Sequence, residues 1–98
     1  MKPTLFIDTW GWLKVLGRRE SRHQEVKAYF DEFLGTGGVA CTTDYVLDET
    51  VTLLFSRMPS EVALQQYRTI ETARDAGFLV IDWITPERFE RTMDLRAR

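Results

Sequence analysis

The sequence predicts an α/β fold built on a parallel sheet, on three observations. The short apolar runs Leu5–Ile7, Val39–Thr42 and Phe78–Ile81 are bounded by glycine, proline or acidic residues, as strands buried in a parallel sheet are. Each pair of runs is separated by enough chain for a helical crossover, and no hairpin turn joins them. The first run ends in an acid, Asp8. An acid is costly inside a buried strand, so Asp8 belongs at its carboxyl end, where open parallel sheets present their ligands.

The elements follow in order. Thr4–Asp8 reads as the first strand, buried on both faces. Thr9 is placed to cap a helix through Trp10, Trp12, Leu13 and Leu16, which Gly17 ends. After a polar loop, a second helix runs from His23 to Leu34, with Val26, Tyr29, Phe30, Phe33 and Leu34 on one face. Gly35 and Gly37-Gly38 stop it. The second strand is Val39–Thr42, and Thr42 or Thr43 starts a third helix to about Met58. Pro59-Ser60 breaks the chain, Ser60 caps a fourth helix and Gly77 stops it. The inner face of that helix is Val62 or Ala63, Leu64, Tyr67, Ile70 and Ala73 or Arg74. Phe78–Ile81 is the third strand. Thr85-Pro86 opens a last helix carrying Phe89, Met93 and Leu95. The architecture expected is three-layer α/β/α, with helices on each face of the sheet.

Composition narrows the function classes. The 98 residues make one domain, 1–98, with no linker or repeat. At 44% hydrophobic and 29% charged, the chain is an ordinary globular one. A formal net charge of -2 argues against a nucleic-acid coating protein but leaves room for a local basic strip. One cysteine, Cys41, excludes an internal disulfide framework and a cysteine zinc cage, and one histidine excludes a multi-histidine site. No apolar run reaches membrane-span length, and no signal peptide opens the chain. The cytoplasm is the compartment expected.

Besides Asp8, the acids of interest lie in Thr43-Asp44-Tyr45-Val46-Leu47-Asp48-Glu49-Thr50. On a helix, Asp48 and Glu49 fall on opposite borders of the apolar face, with Thr50 in its middle. Spacing alone does not choose between the two acids, and both are also explicable as solvated helix residues. Asp44 suits a first helical turn. Strand two is expected beside strand one, which brings the start of the third helix near Asp8. Carboxylates converging there make a hard-oxygen site suited to Mg²⁺ or Mn²⁺, the equipment of metal-assisted phosphodiester hydrolysis.

Leu5-Phe6-Ile7-Asp8-Thr9, the segment from Thr42 to Thr50, and Phe78-Leu79-Val80-Ile81 together resemble the PIN-domain family, and within it the VapC-type toxin ribonucleases. The resemblance covers the whole chain in order and spacing. It implies catalytic and metal-ligand roles for Asp8 and Glu49, with Asp48 left as a surface acid and Thr9 giving a supporting hydrogen bond. It implies a Mg²⁺- or Mn²⁺-dependent endoribonuclease with an RNA substrate, a homodimer, and an antitoxin protein as partner. The family's sheet has five strands, and its Ser-Phe-Thr-Asp-like segment, bearing a third acid, has no counterpart here. Asp82 and Asp94 do not replace it. The chain is thus expected to be a PIN-like domain without its C-terminal strands. Leu5–Ile7 then becomes an unpaired edge and one sheet face stays bare, favouring strand-edge self-association or completion by a second chain. With two carboxylates alone, little nuclease activity is expected of this chain by itself.

Smaller expectations concern the remaining polar and aromatic residues. Lys14, Arg18, Arg19 and Arg22 form a strip that could contact RNA phosphates or simply be solvated. His23 reads as a first-turn residue, not a base. Trp10 and Trp12 flank Asp8 and either pack in the core or stack a base. Cys41 reads as a small buried residue. A second functional class is a catalytically silent interaction module that takes an antitoxin-like helix in an apolar groove. An aspartate-nucleophile phosphatase or receiver ranks low, because Trp10 stands where a second acid would be needed.

Overall fold

The computed structural model describes residues 2–17 and 21–97, without the side chains of residues 92 and 95–97. Arg18 and Arg19 lie outside the described residues. The element order is β1 (Thr4–Phe6), α1 (Thr9–Leu16), α2 (His23–Gly35), β2 (Val39–Thr43), α3 (Asp44–Arg57), α4 (Ser60–Asp75), β3 (Leu79–Asp82) and α5 (Pro86–Ala97). The strands form one parallel sheet in the order β1-β2-β3, as the α/β reading requires.

Two successive crossovers that step in the same direction put their helices on the same face when both are right-handed. The sheet shows the result. Leu5, Ala40 and Leu79 are in register, as are Thr42 and Ile81, and with Ile7 they point into the core. Trp12, Leu13 and Leu16 of α1, Phe30 of α2, Leu47 and Leu54 of α3, and Ala63 and Ile70 of α4 close over them.

The opposite face lies open. Phe6, Cys41 and Val80 are in register across it, and Phe6 and Val80 are each 55% exposed. Burial of β1 on both faces is therefore corrected: the helices cover one face of the sheet and leave Phe6 outside. Cys41 is half-buried rather than buried for the same reason. Of the two helical layers expected, α1 to α4 build one. The last helix, α5, leaves Phe89 and Met93 exposed. It is tied at its root by the Arg88–Asp82 ion pair and by the Ile84 N–H, which donates to Asp44 Oδ1 at 2.9 Å.

Helix ends differ from expectation in two places. Asp8, not Thr9, caps α1, and Thr9 is the buried first residue of the helix. The Asp8 carboxylate takes the cap, accepting from the Gly11 N–H, and aspartate is a better N-cap than threonine. Pro59 occupies the cap position of α4 and Ser60 begins the helix. Two other termini are as expected. Thr43 caps α3, its hydroxyl accepting from the Val46 N–H at 3.1 Å, and Gly77 follows α4 at φ 85°, which suits glycine.

Helix faces are also sharpened. Ala63 and Ile70 are buried while Val62 and Leu64 are exposed, so α4 turns its smaller residue inward. Tyr29 points outward although its spacing matched Phe30. Among the described residues no helix is long and apolar enough to cross a membrane.

Candidate active site

Asp8 stands where β1 gives way to α1, in extended backbone at φ -88°, ψ -179°. Its Oδ1 accepts from the Gly11 N–H at 2.8 Å. That bond satisfies one of the orphan donors of the helix and fixes the carboxylate. The carboxylate remains exposed. A Cβ at Gly11 would crowd Ile7 Cγ2 at 3.0 Å while lying in ordinary contact with Asp8 Oδ1 at 3.4 Å.

Beneath Asp8 lies a buried polar relay. The Trp12 indole N–H donates to Thr42 Oγ1 at 3.3 Å, and the Thr42 hydroxyl donates to the Ile7 carbonyl at 2.9 Å. The Ile7 N–H in turn donates to the Cys41 carbonyl at 2.9 Å. The backbone entering Asp8 is thus held by the strand pairing and by two side chains. A wholly buried threonine in β2 was not distinguished from its neighbours in the sequence; a Trp–Thr pair far apart in the chain carries no local signal.

On α3, Thr50 is fully buried, its hydroxyl donating to the Val46 carbonyl at 2.7 Å. That bond stays within α3 and satisfies the buried hydroxyl, while both Asp48 and Glu49 are exposed. Asp48 lines a groove with Asp44, Leu47, Val51, Phe55, Leu64, Tyr67 and Trp83, on the α4 side. Arg57 reaches the other way, with its Cζ 6.0 Å from the centroid of the Trp10 ring on α1. At about 100° per residue, Arg57 lies opposite Asp48 on the helix and about 80° from Glu49. Glu49 therefore lies nearer the α1 border and Asp48 on the groove border. Among the described residues no three His, Cys, Asp or Glu side chains converge as a metal site.

The two tryptophans divide between the roles considered for them. Trp12 is buried, edge-on to Phe30 with ring centroids 6.3 Å apart. Trp10, two residues from Asp8, is 61% exposed. The basic strip is partly engaged locally. Lys14 Nζ donates to the Ser21 carbonyl at 3.1 Å and to its Oγ at 3.2 Å. Arg22, in left-handed backbone at φ 65°, pairs with Glu25 at 2.8 Å. The hydrogen bond and charge of Arg22 hold the Glu25 carboxyl below its usual range. His23 is half-buried and its Nδ1 lies 2.7 Å from the Lys14 carbonyl, so that nitrogen carries the proton. That bond closes the loop onto α1, a structural role as expected. Asp44, expected only as a first-turn acid, also accepts from the Ile84 N–H and so anchors the exit from β3.

The arrangement of strands and helices is that of a VapC-like PIN fold. Among solved structures the chain is similar to the Mycobacterium tuberculosis toxin VapC20, described as cleaving the sarcin-ricin loop. The match has a TM-score of 0.67 at 22% identity, and it covers 95% of this chain and 66% of that one. A scan against protein-family models gave no match. A search of curated proteins also gave none.

Proposed function

We propose that the chain is a VapC-type, metal-dependent endoribonuclease that hydrolyses RNA phosphodiester bonds as the toxin of a toxin–antitoxin pair. The observation that carries this is the fixed, exposed carboxylate of Asp8 at the carboxyl end of β1, in a fold shared with a toxin described as cleaving the sarcin-ricin loop. Asp8 and Glu49 would hold the cation. Both are hard-oxygen donors, and one or two carboxylates suffice for Mg²⁺ or Mn²⁺. When bound, such an ion supplies activation of the attacking water and screening of phosphodiester charge. The chain's own residues do the rest. Gly11 and the Trp12–Thr42–Ile7 relay orient Asp8, and Thr9 supports the site from the first turn of α1. Lys14, Arg18, Arg19 and Arg22 are the candidate phosphate contacts.

The test is incubation of the purified chain with Mn²⁺ and a structured RNA. Cleavage that is lost in Asp8→Asn and in Glu49→Gln supports the assignment. Cleavage that survives both substitutions overturns it, and absence of cleavage by the wild-type chain, the result expected of two carboxylates alone, favours a silent interaction module instead.

A second function, a silent interaction module, is favoured by the groove between α3, α4 and Trp83. It measures about 440 Å³, is lined mostly by apolar side chains, and is rimmed by Asp44 and Asp48. It suits the apolar face of an antitoxin helix with a basic flank. The open row Phe6–Cys41–Val80, beside the edge strand β1, suits homodimerisation or strand-edge self-association. A cytoplasmic location fits this reading.

A further inference from the structure

We propose that Trp10 and Arg57 form a nucleobase platform beside Asp8, on which one unpaired base of a single-stranded RNA segment stacks. This rests on the ribonuclease assignment above for its ligand class, but not on the metal or on any catalytic step.

Three observations carry it. Trp10 is 61% exposed although its neighbour Trp12 takes the core position, so α1 does not need the Trp10 ring for packing. The ring belongs to the first turn of α1, which Asp8 caps, so the platform stands within two residues of that acid along the chain. Arg57 Cζ is 6.0 Å from the ring centroid, which places a cation against the aromatic surface in a chain of net charge -2. Aromatic faces accept any base by stacking, and a neighbouring guanidinium adds cation–π attraction and a phosphate contact. A base in a duplex has both faces occupied and cannot use such a platform. The preference is therefore for unpaired nucleotides in loops, bulges or ends.

Fluorescence anisotropy of labelled oligoadenylate and oligouridylate tests this in EDTA, where no metal-dependent cleavage intervenes. Trp10→Ala is expected to weaken binding of both by about tenfold, while Trp10→Phe keeps most of it. Arg57→Gln is expected to lower the salt dependence of binding by about one phosphate contact, with Trp10→Ala leaving that slope unchanged. An RNA duplex should be indifferent to Trp10→Ala. Wild-type affinity in Trp10→Ala, equal losses in duplex and single strand, or no RNA binding by the wild-type chain would each overturn the platform. The ribonuclease assignment fails separately. Cleavage insensitive to Asp8→Asn, together with a Trp10-dependent affinity, would remove the catalytic assignment and leave the platform standing.

Discussion

The indole of Trp12 and the hydroxyl of Thr42 meet at 3.3 Å across the α1–β2 boundary, and Thr42 passes the chain of hydrogen bonds to the Ile7 carbonyl at 2.9 Å. Thr42 is fully buried. Removing its hydroxyl leaves an indole N–H and one carbonyl lone pair unsatisfied in the core. Thr42→Val should therefore destabilise the fold by about 2 kcal/mol, whereas Thr42→Ser should cost less. Urea unfolding monitored by circular dichroism measures both.

Asp8 has two separable duties, capping α1 and presenting charge. Asparagine caps helices about as well as aspartate does, and alanine does not. Asp8→Asn should keep wild-type stability and lose cation binding. Asp8→Ala should lose cation binding and also about 1 kcal/mol of stability. Thermal unfolding of the two variants side by side separates these roles.

Gly38 is buried between α2 and β2, and a Cβ there would meet the Phe33 ring at 2.5 Å. Gly38→Ala must displace that ring. A loss of about 1–3 kcal/mol is expected from overpacking, and it should be visible as a lower urea midpoint.

Glu25 is held ionised by Arg22, so its carboxyl titrates below its ordinary value. A depressed carboxylate favours the folded state above its unfolded pKa, and that preference fades as pH falls through the folded value. Both side chains are exposed, so the effect on stability is small. Arg22→Gln should shift the Glu25 titration upward, as read by carboxyl carbon chemical shifts in NMR.

The open face also has a measurable consequence. Phe6 and Val80 are both more than half exposed beside an edge strand. Sedimentation velocity should show association that rises with concentration, and Phe6→Glu should reduce it. A compact monomer at all concentrations would contradict self-association through this face.

The parallel sheet was legible in the sequence because its three strands are short apolar runs with helical spacing between them. Asp8 was legible as the acid that follows the first strand and Gly77 as a helix stop; Thr43 was one of two starts expected for α3, and the cap of α1 was expected at Thr9 instead of Asp8. Less legible were features set by tertiary contacts. Periodicity placed Tyr29 with Phe30 and Leu64 with Ile70, but which of them is covered is decided by the neighbouring elements packed around the core. Nor could spacing separate Asp48 from Glu49. That distinction comes from the packing of α3, which turns Asp48 toward the groove beside α4 and Arg57 toward Trp10. The Thr42 relay was invisible because its two partners, Trp12 on α1 and the Ile7 carbonyl just after β1, lie thirty or more residues away in the chain.

Asp8 and Glu49 are proposed to hold one divalent cation between them. Mn²⁺ binding, followed by electron paramagnetic resonance of the free ion, tests it directly. One site is expected in the wild-type chain, lost in Asp8→Asn and in Glu49→Gln, and retained in Asp48→Asn. Undiminished Mn²⁺ binding in both site variants, or its loss in Asp48→Asn alone, would contradict the assignment.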